Sequence, residues 1–104
     1  MDSKSNCTDW RAIHDFMPPR PARLRVNGKC TFPTPGYKVT LKKKQPQGIN
    51  PNILILEKVV EAPTTVEPQI VTTVPVQYEE ITDQHYTDAS ILPDNTSIRV
   101  EEVH

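Results

Sequence analysis

Residues 22–32 read ARLRVNGKCTF, and their alternation decides the fold class. Leu24, Val26, Cys30 and Phe32 interleave with Arg23, Arg25, Asn27, Lys29 and Thr31. A period of two puts alternate side chains on opposite faces of a strand, one dry and one wet. The next four residues, Pro33-Thr34-Pro35-Gly36, are turn chemistry: Pro35 fixes its own φ and Gly36 accepts a positive one. Tyr37, Val39 and Leu41 then alternate with Lys38, Thr40 and Lys42. Together they predict a hairpin of 22–32 with 37–44.

The same chemistry extends downstream. Ile53-Leu54-Ile55-Leu56 is apolar on both faces, as in a central strand covered on two sides. The segment 66–80 alternates again, and Pro75 within it lacks an amide proton, which marks an edge or a bulge. Residues 86–92 and 97–101 flank Pro93-Asp94-Asn95-Thr96, so 86–103 reads as an antiparallel hairpin. Upstream, residues 9–17 read DWRAIHDFM. Trp10, Ile13 and Met17 have helical spacing, Thr8 stands as a cap, and Pro18-Pro19 stops the segment. A short helical turn or an irregular segment lying on the sheets is predicted there.

With 104 residues, 11 of them Pro and only 3 Gly, the chain is cut into short extended pieces and suits one domain. The sum is an all-β fold: a small antiparallel β-sandwich, immunoglobulin-like in strand number and spacing, with a small antiparallel barrel as the alternative. Residues 1–21 form a tail and helical turn, and 22–104 the sandwich. The Cys–Trp–Cys spacing of antibody domains is absent. The predicted core is Leu24, Val26, Phe32, Val39, Leu41, Leu54, Leu56, Val74, Val76, Ile98 and Val100. No apolar run is long enough for a transmembrane helix, and the first 20 residues lack the apolar stretch of a secretory signal. The default location is cytoplasmic, or secreted or periplasmic if a signal was removed.

The net charge of −1 conceals a strong asymmetry. Residues 1–50 carry ten Lys/Arg and three Asp/Glu, and residues 51–104 carry two and ten. On the predicted hairpin the basic residues share the wet side, giving a face of Arg25, Lys29, Lys38, Lys42 and Lys44. Such a face serves either as plain solvated surface or as a site for an anionic partner. A protein with an acidic surface fits it; so does head-to-tail self-association, basic face on acidic face. Nucleic acid fits poorly, because only Tyr37 lies near to stack on a base.

No catalytic constellation stands out. His14, His85 and His104 belong to no metal-binding spacing, and no nucleophile motif or phosphate-cradling glycine loop is present. No cofactor is called for. His85 with Asp88 is the nearest approach to a hydrolytic or metal-binding pair. Cys7 and Cys30 allow one disulfide, or two free thiols in a reducing compartment. Asn6-Cys7-Thr8 and Asn95-Thr96-Ser97 match the glycosylation acceptor pattern.

Phe32-Pro33-Thr34-Pro35-Gly36-Tyr37 resembles the NPTTGY loop of the chagasin-type cysteine-protease inhibitors, with Phe32 for Asn and Pro35 for Thr. The family's glycine-rich and Arg-Pro-Trp loops have no counterpart; Arg20-Pro21 is followed by Ala22. The resemblance implies an inhibitor presenting the 33–36 turn. The leading expectation is a non-enzymatic binding or scaffold module, with that inhibitor and a hydrolase or metal protein as alternatives.

Overall fold

A computed structural model describes residues 6–19 and 21–104. Residues 1–5, where the predicted tail begins, and Arg20 lie outside the described part. The strands are β1 (Asn6–Asp15), β2 (Arg23–Phe32), β3 (Lys38–Lys43), β4 (Ile53–Glu61), β5 (Thr72–Ile81), β6 (Asp88–Leu92) and β7 (Thr96–Val103). They form one sheet in the order β3-β4-β6-β7-β1-β2-β5. Its two end strands, β3 and β5, come back into contact, so the sheet is a nearly closed barrel. The β1–β7 and β4–β6 ladders are parallel and the others antiparallel. No described residue is helical, and among them no helix is long and apolar enough to cross a membrane.

Alternation fills the interior. Leu24, Val26, Cys30 and Phe32 of β2 are buried and meet Leu54 and Leu56 of β4, Val76, Ile91 and Val100. Leu41 is buried too, while Val39, Val74 and Ile98 are half-buried against this core. On the far side of β4, Ile53 and Ile55 are half-buried. Gln47 continues the sheet there: its amide donates to the Ile55 carbonyl at 2.9 Å and accepts from the Ile55 amide at 2.9 Å.

The N-terminal segment is a strand rather than a helical turn, and it lies between β7 and β2. Its register explains the misreading. Thr8 pairs with Lys29 and Arg11 with Asn27, so Asp9 and Trp10 together oppose Gly28. This is a β-bulge, with Asp9 at φ 59°, a conformation Asp tolerates better than most residues. The extra residue flips the parity: Cys7 packs on the core before the bulge, and Trp10, Ala12 and His14 turn inward after it. A period of two with one slip looks like helical spacing when Trp10, Ile13 and Met17 are picked out alone.

The predicted hairpin of 22–32 with 37–44 does not form. β2 pairs with β1 and β5, and β3 pairs with β4. The 33–37 connection carries the chain past β5, which lies between β2 and β3. Only the rings meet as the hairpin requires: Phe32 and Tyr37 stack at 4.2 Å. The 86–103 hairpin is present as the β6–β7 ladder. β5 is the last strand of the hydrogen-bonded order, so Pro75 does lie on an edge strand.

No backbone hydrogen bond joins β3 to β5. Side chains close this seam instead. Glu80 of β5 accepts from Lys43 of β3 at 3.2 Å, from Tyr78 at 2.6 Å and from Tyr86 of the 82–87 loop at 3.2 Å. The Glu80 side chain is only 16% exposed, so these bonds work where water screens little. Burial, and then the bond to Glu80, push the Tyr78 phenol well above its ordinary value. Burial and the Glu80 charge raise Tyr86, partly offset by Lys43. Burial pulls the Lys43 ammonium down, but its bonds to Glu80 and Tyr86 outweigh that and hold it high.

Two outcomes follow. A Cβ at residue 28 overlaps the six-membered ring of Trp10, so Gly28→Ala is expected to cost about 1–3 kcal/mol in urea unfolding. The seam also sets a pH dependence. The ordinary values are 10.0 for the tyrosines and 10.5 for Lys43. All three are raised on folding, so above about pH 10 the unfolded chain loses these protons first and stability falls. In Tyr78→Phe the alkaline fall is expected to be shallower, as read by urea titrations at a series of pH values.

Candidate functional site

Arg25, Lys29, Lys38 and Lys42 are exposed and Lys44 is half-buried, and the five do not share one hairpin. Arg25 and Lys29 belong to β2, Lys38 and Lys42 to β3, and Lys44 follows β3. β5 runs between the two groups. Two strand spacings are roughly 10 Å, so the residues still border one curved surface with β5 along its middle. Arg23 joins them on β2.

Topology lays the basic half of the chain against the acidic half. In register, Arg25 faces Glu79, Lys38 faces Glu61, and Lys42 faces Glu57. Opposite charges directly across a ladder are the favourable arrangement. Arg23 reaches Glu79 at 3.2 Å and Arg25 reaches it at 3.4 Å. The hydrogen bonds from Arg23 and then Arg25 hold the Glu79 carboxyl below its ordinary value. Lys29 pairs with Asp9 of the bulge at 3.0 Å. These pairs are exposed, and each contributes about 0–1 kcal/mol. Lys38, Lys42 and Lys44 form no ion pair with any described residue.

At the end of the barrel where β1, β5 and β7 finish, the three histidines gather around one ring. Phe16 lies 4.0 Å from His14, 4.5 Å from His85 and 5.2 Å from His104, ring centre to ring centre. Glu102 accepts from His85 Nδ1 at 2.5 Å and from His104 Nε2 at 3.2 Å. The bond from His85, with a smaller part from His104, lowers the Glu102 carboxyl. His14 is fully buried; its Nε2 donates to the Thr82 carbonyl at 2.7 Å, and among the described residues Nδ1 has no partner. An open depression of about 600 Å³ lies beside them, lined by Phe16, Pro21, Asp83 and His85. His85 is thus joined to Glu102, whereas Asp88 sits in β6 opposite Arg99. Among the described residues no group of three or more His, Cys, Asp or Glu is placed to hold a metal ion.

Cys7 and Cys30 oppose each other in the β1–β2 register and are joined as a disulfide. Beside it lies Lys58, whose side chain is 3% exposed and bonds Asp94 at 2.6 Å and Cys7 Sγ at 3.3 Å. A lysine from β4 thereby ties the β6–β7 turn to the disulfide at the end of the barrel where β2 and β4 finish. The 33–36 turn is at this end too. Gly36 has φ 94°, as the turn chemistry requires, but it packs on Pro63 and Glu67, and Thr34 and Pro35 are half-buried. The tip is therefore seated on the 62–71 loop.

Pairing across topology, Arg23 with Glu79 or His85 with Glu102, left no local signal in the sequence. The inward series Trp10, Ala12, His14 and Phe16 was the one signal available, as a period of two. The disulfide closes a loop with a sequence separation of 23. Reducing it is expected to lower stability by about 3 kcal/mol on the chain-entropy model. Denaturant unfolding with and without reductant measures this, and unreduced denatured protein should show no reactive thiol.

The chain matches no protein-family model, no curated protein and no solved structure.

Proposed function

We propose that the protein is a non-enzymatic binding module that holds an acidic protein surface on the basic face formed by β2 and β3 on either side of β5. It uses its β framework as immunoglobulin-like modules use theirs, to display a surface. The observation that carries the reading is that Lys38, Lys42 and Lys44 form no ion pair with any carboxylate of the described residues, although Glu61 and Glu57 stand opposite two of them in register. Arg25 and Lys29 hold only exposed carboxylates and can exchange them for a partner's at little cost. Charge complementarity of this kind governs encounter rate and choice of partner. Tyr37, the ring nearest Lys38, is already stacked against Phe32, which leaves a nucleic acid little to stack on.

Reversal of these lysines to glutamate sets like charges opposite Glu61 and Glu57, so neutral glutamine is the better probe. The combined variant Lys38→Gln, Lys42→Gln, Lys44→Gln is expected to stay within about 0.5 kcal/mol of the parent stability. A partner recovered from the native source is expected to bind the variant about tenfold more weakly at low salt. The difference shrinks as salt shortens the screening length to about 8–10 Å. Equal binding by parent and variant at low salt removes the proposal.

A further inference from the structure

The 62–71 loop carries a second surface, separate from the basic face. Among the described residues two large apolar side chains are fully exposed, Ile49 and Val66. Val66 differs from Ile49 in what flanks it. Thr65 Oγ1 donates to the Glu67 carboxylate at 2.5 Å, a bond that spans Val66 from one neighbour to the other. No such bond spans Ile49, whose preceding neighbour is Gly48.

The loop is also stiffened by its prolines and by what it packs on. Pro63 and Pro68 fix their own φ, and each biases the residue before it, Ala62 and Glu67, toward extended backbone. The Pro68 carbonyl accepts from the Ile70 amide at 2.9 Å, which turns the chain just before β5 begins. Against the loop lies the 33–36 turn. A Cβ at Gly36 would come within 2.8 Å of the Pro63 ring and 3.6 Å of the Glu67 carboxyl carbon, so turn and loop are in close contact. Thr34, Pro35, Pro63 and Glu67 are half-buried there, whereas Thr64, Thr65 and Val66 are exposed. Packing holds one side of the loop and leaves Val66 outward.

We infer that the 62–71 loop inhibits serine proteases with a small apolar specificity pocket, offering Val66 to the pocket and the Val66–Glu67 peptide bond to the enzyme. Such enzymes choose a substrate largely by the residue before the cut, and the elastase-type pocket is a small one. The serine oxygen attacks the Val66 carbonyl carbon, the bond to the Glu67 nitrogen breaks, and that nitrogen takes up a proton as an amine. In a flexible loop the amine departs and water completes hydrolysis. Here the Thr65–Glu67 bond joins the two sides of the cut, and Glu67 is held against the 33–36 turn. The amine therefore stays beside the acyl-enzyme and re-forms the peptide bond. A loop already ordered in this shape also loses little conformational entropy on binding. The 33–36 turn then serves as the support of the inhibitory loop rather than as its tip.

Hydrolysis of a chromogenic peptide by pancreatic elastase, titrated with the full chain, tests this. Inhibition is expected with the chain left largely uncut, and trypsin is expected to stay active. Val66→Gly removes no core contact and is expected to weaken inhibition about hundredfold. Val66→Lys is expected to move inhibition from elastase to trypsin. Thr65→Val keeps the tip residue but removes the bond across it, and elastase is expected to cut this variant after Val66 about tenfold faster than the parent. The triple lysine-to-glutamine variant is expected to inhibit as the parent does, which separates this activity from the basic face. A chain that leaves elastase fully active overturns the inference, and so does a parent that is cut after Val66 as fast as Thr65→Val. Inhibition that survives Val66→Gly, fails to pass to trypsin in Val66→Lys, or is lost with the three lysines overturns it as well.

Discussion

The carboxylate of Glu80 stands where a ladder of backbone hydrogen bonds would otherwise close the sheet. One acceptor gathers a lysine from β3, a tyrosine from β5 and a tyrosine from the 82–87 loop. Every other neighbour pair in the barrel is joined by main chain. The interior depends on this closure, because Leu41 of β3 and Val76 of β5 shield the core from opposite sides of the seam. A side-chain clasp is a different kind of bond from a ladder. It is specific to a few atoms, it is sensitive to pH, and it leaves the backbone edges on both sides unpaired.

The opposite end of the barrel is held differently. There the Cys7–Cys30 disulfide joins β1 to β2, and the buried ammonium of Lys58 links β4 to Asp94 in the β6–β7 turn. A buried ion pair gains little over an apolar pair of the same size, but leaving either charge alone there is costly. The pair therefore locates the turn more than it stabilises the fold. The same topology disposes of the charge asymmetry. Because β5 is inserted between β2 and β3, and β4 lies beside β3, the acidic half of the chain is threaded through the basic half. Much of the apparent polarity becomes cross-strand pairing, and among the described cations Lys38, Lys42, Lys44 and Arg99 hold no ion pair.

The strands from residue 22 onward were legible because a barrel wall that is wet outside and dry inside imposes a period of two, as in the buried Leu24, Val26, Cys30 and Phe32. The β6–β7 hairpin was legible because its turn is local. β1 was not, since one extra residue at Asp9 breaks the alternation and no pattern in a single strand announces that it will be opposed by Gly28. Arg25, Lys29, Lys38 and Lys42 are exposed and Lys44 is half-buried, but β2 and β3 do not pair with each other as the predicted hairpin requires. Alternation reports which face a side chain takes and is silent on which strand lies alongside.

By itself, then, the sequence determined the all-β class, most strand positions and the inward or outward sense of nearly every side chain after residue 22. These follow from local stereochemistry and from solvation, which act residue by residue. Tertiary structure alone decided the strand order, the parallel ladders, the closure at Glu80 and the meeting of His14, His85 and His104 around Phe16. Each of these brings together residues far apart in the chain. Such contacts are selected by the packing of the whole barrel, and no short stretch of sequence contains the information that selects them.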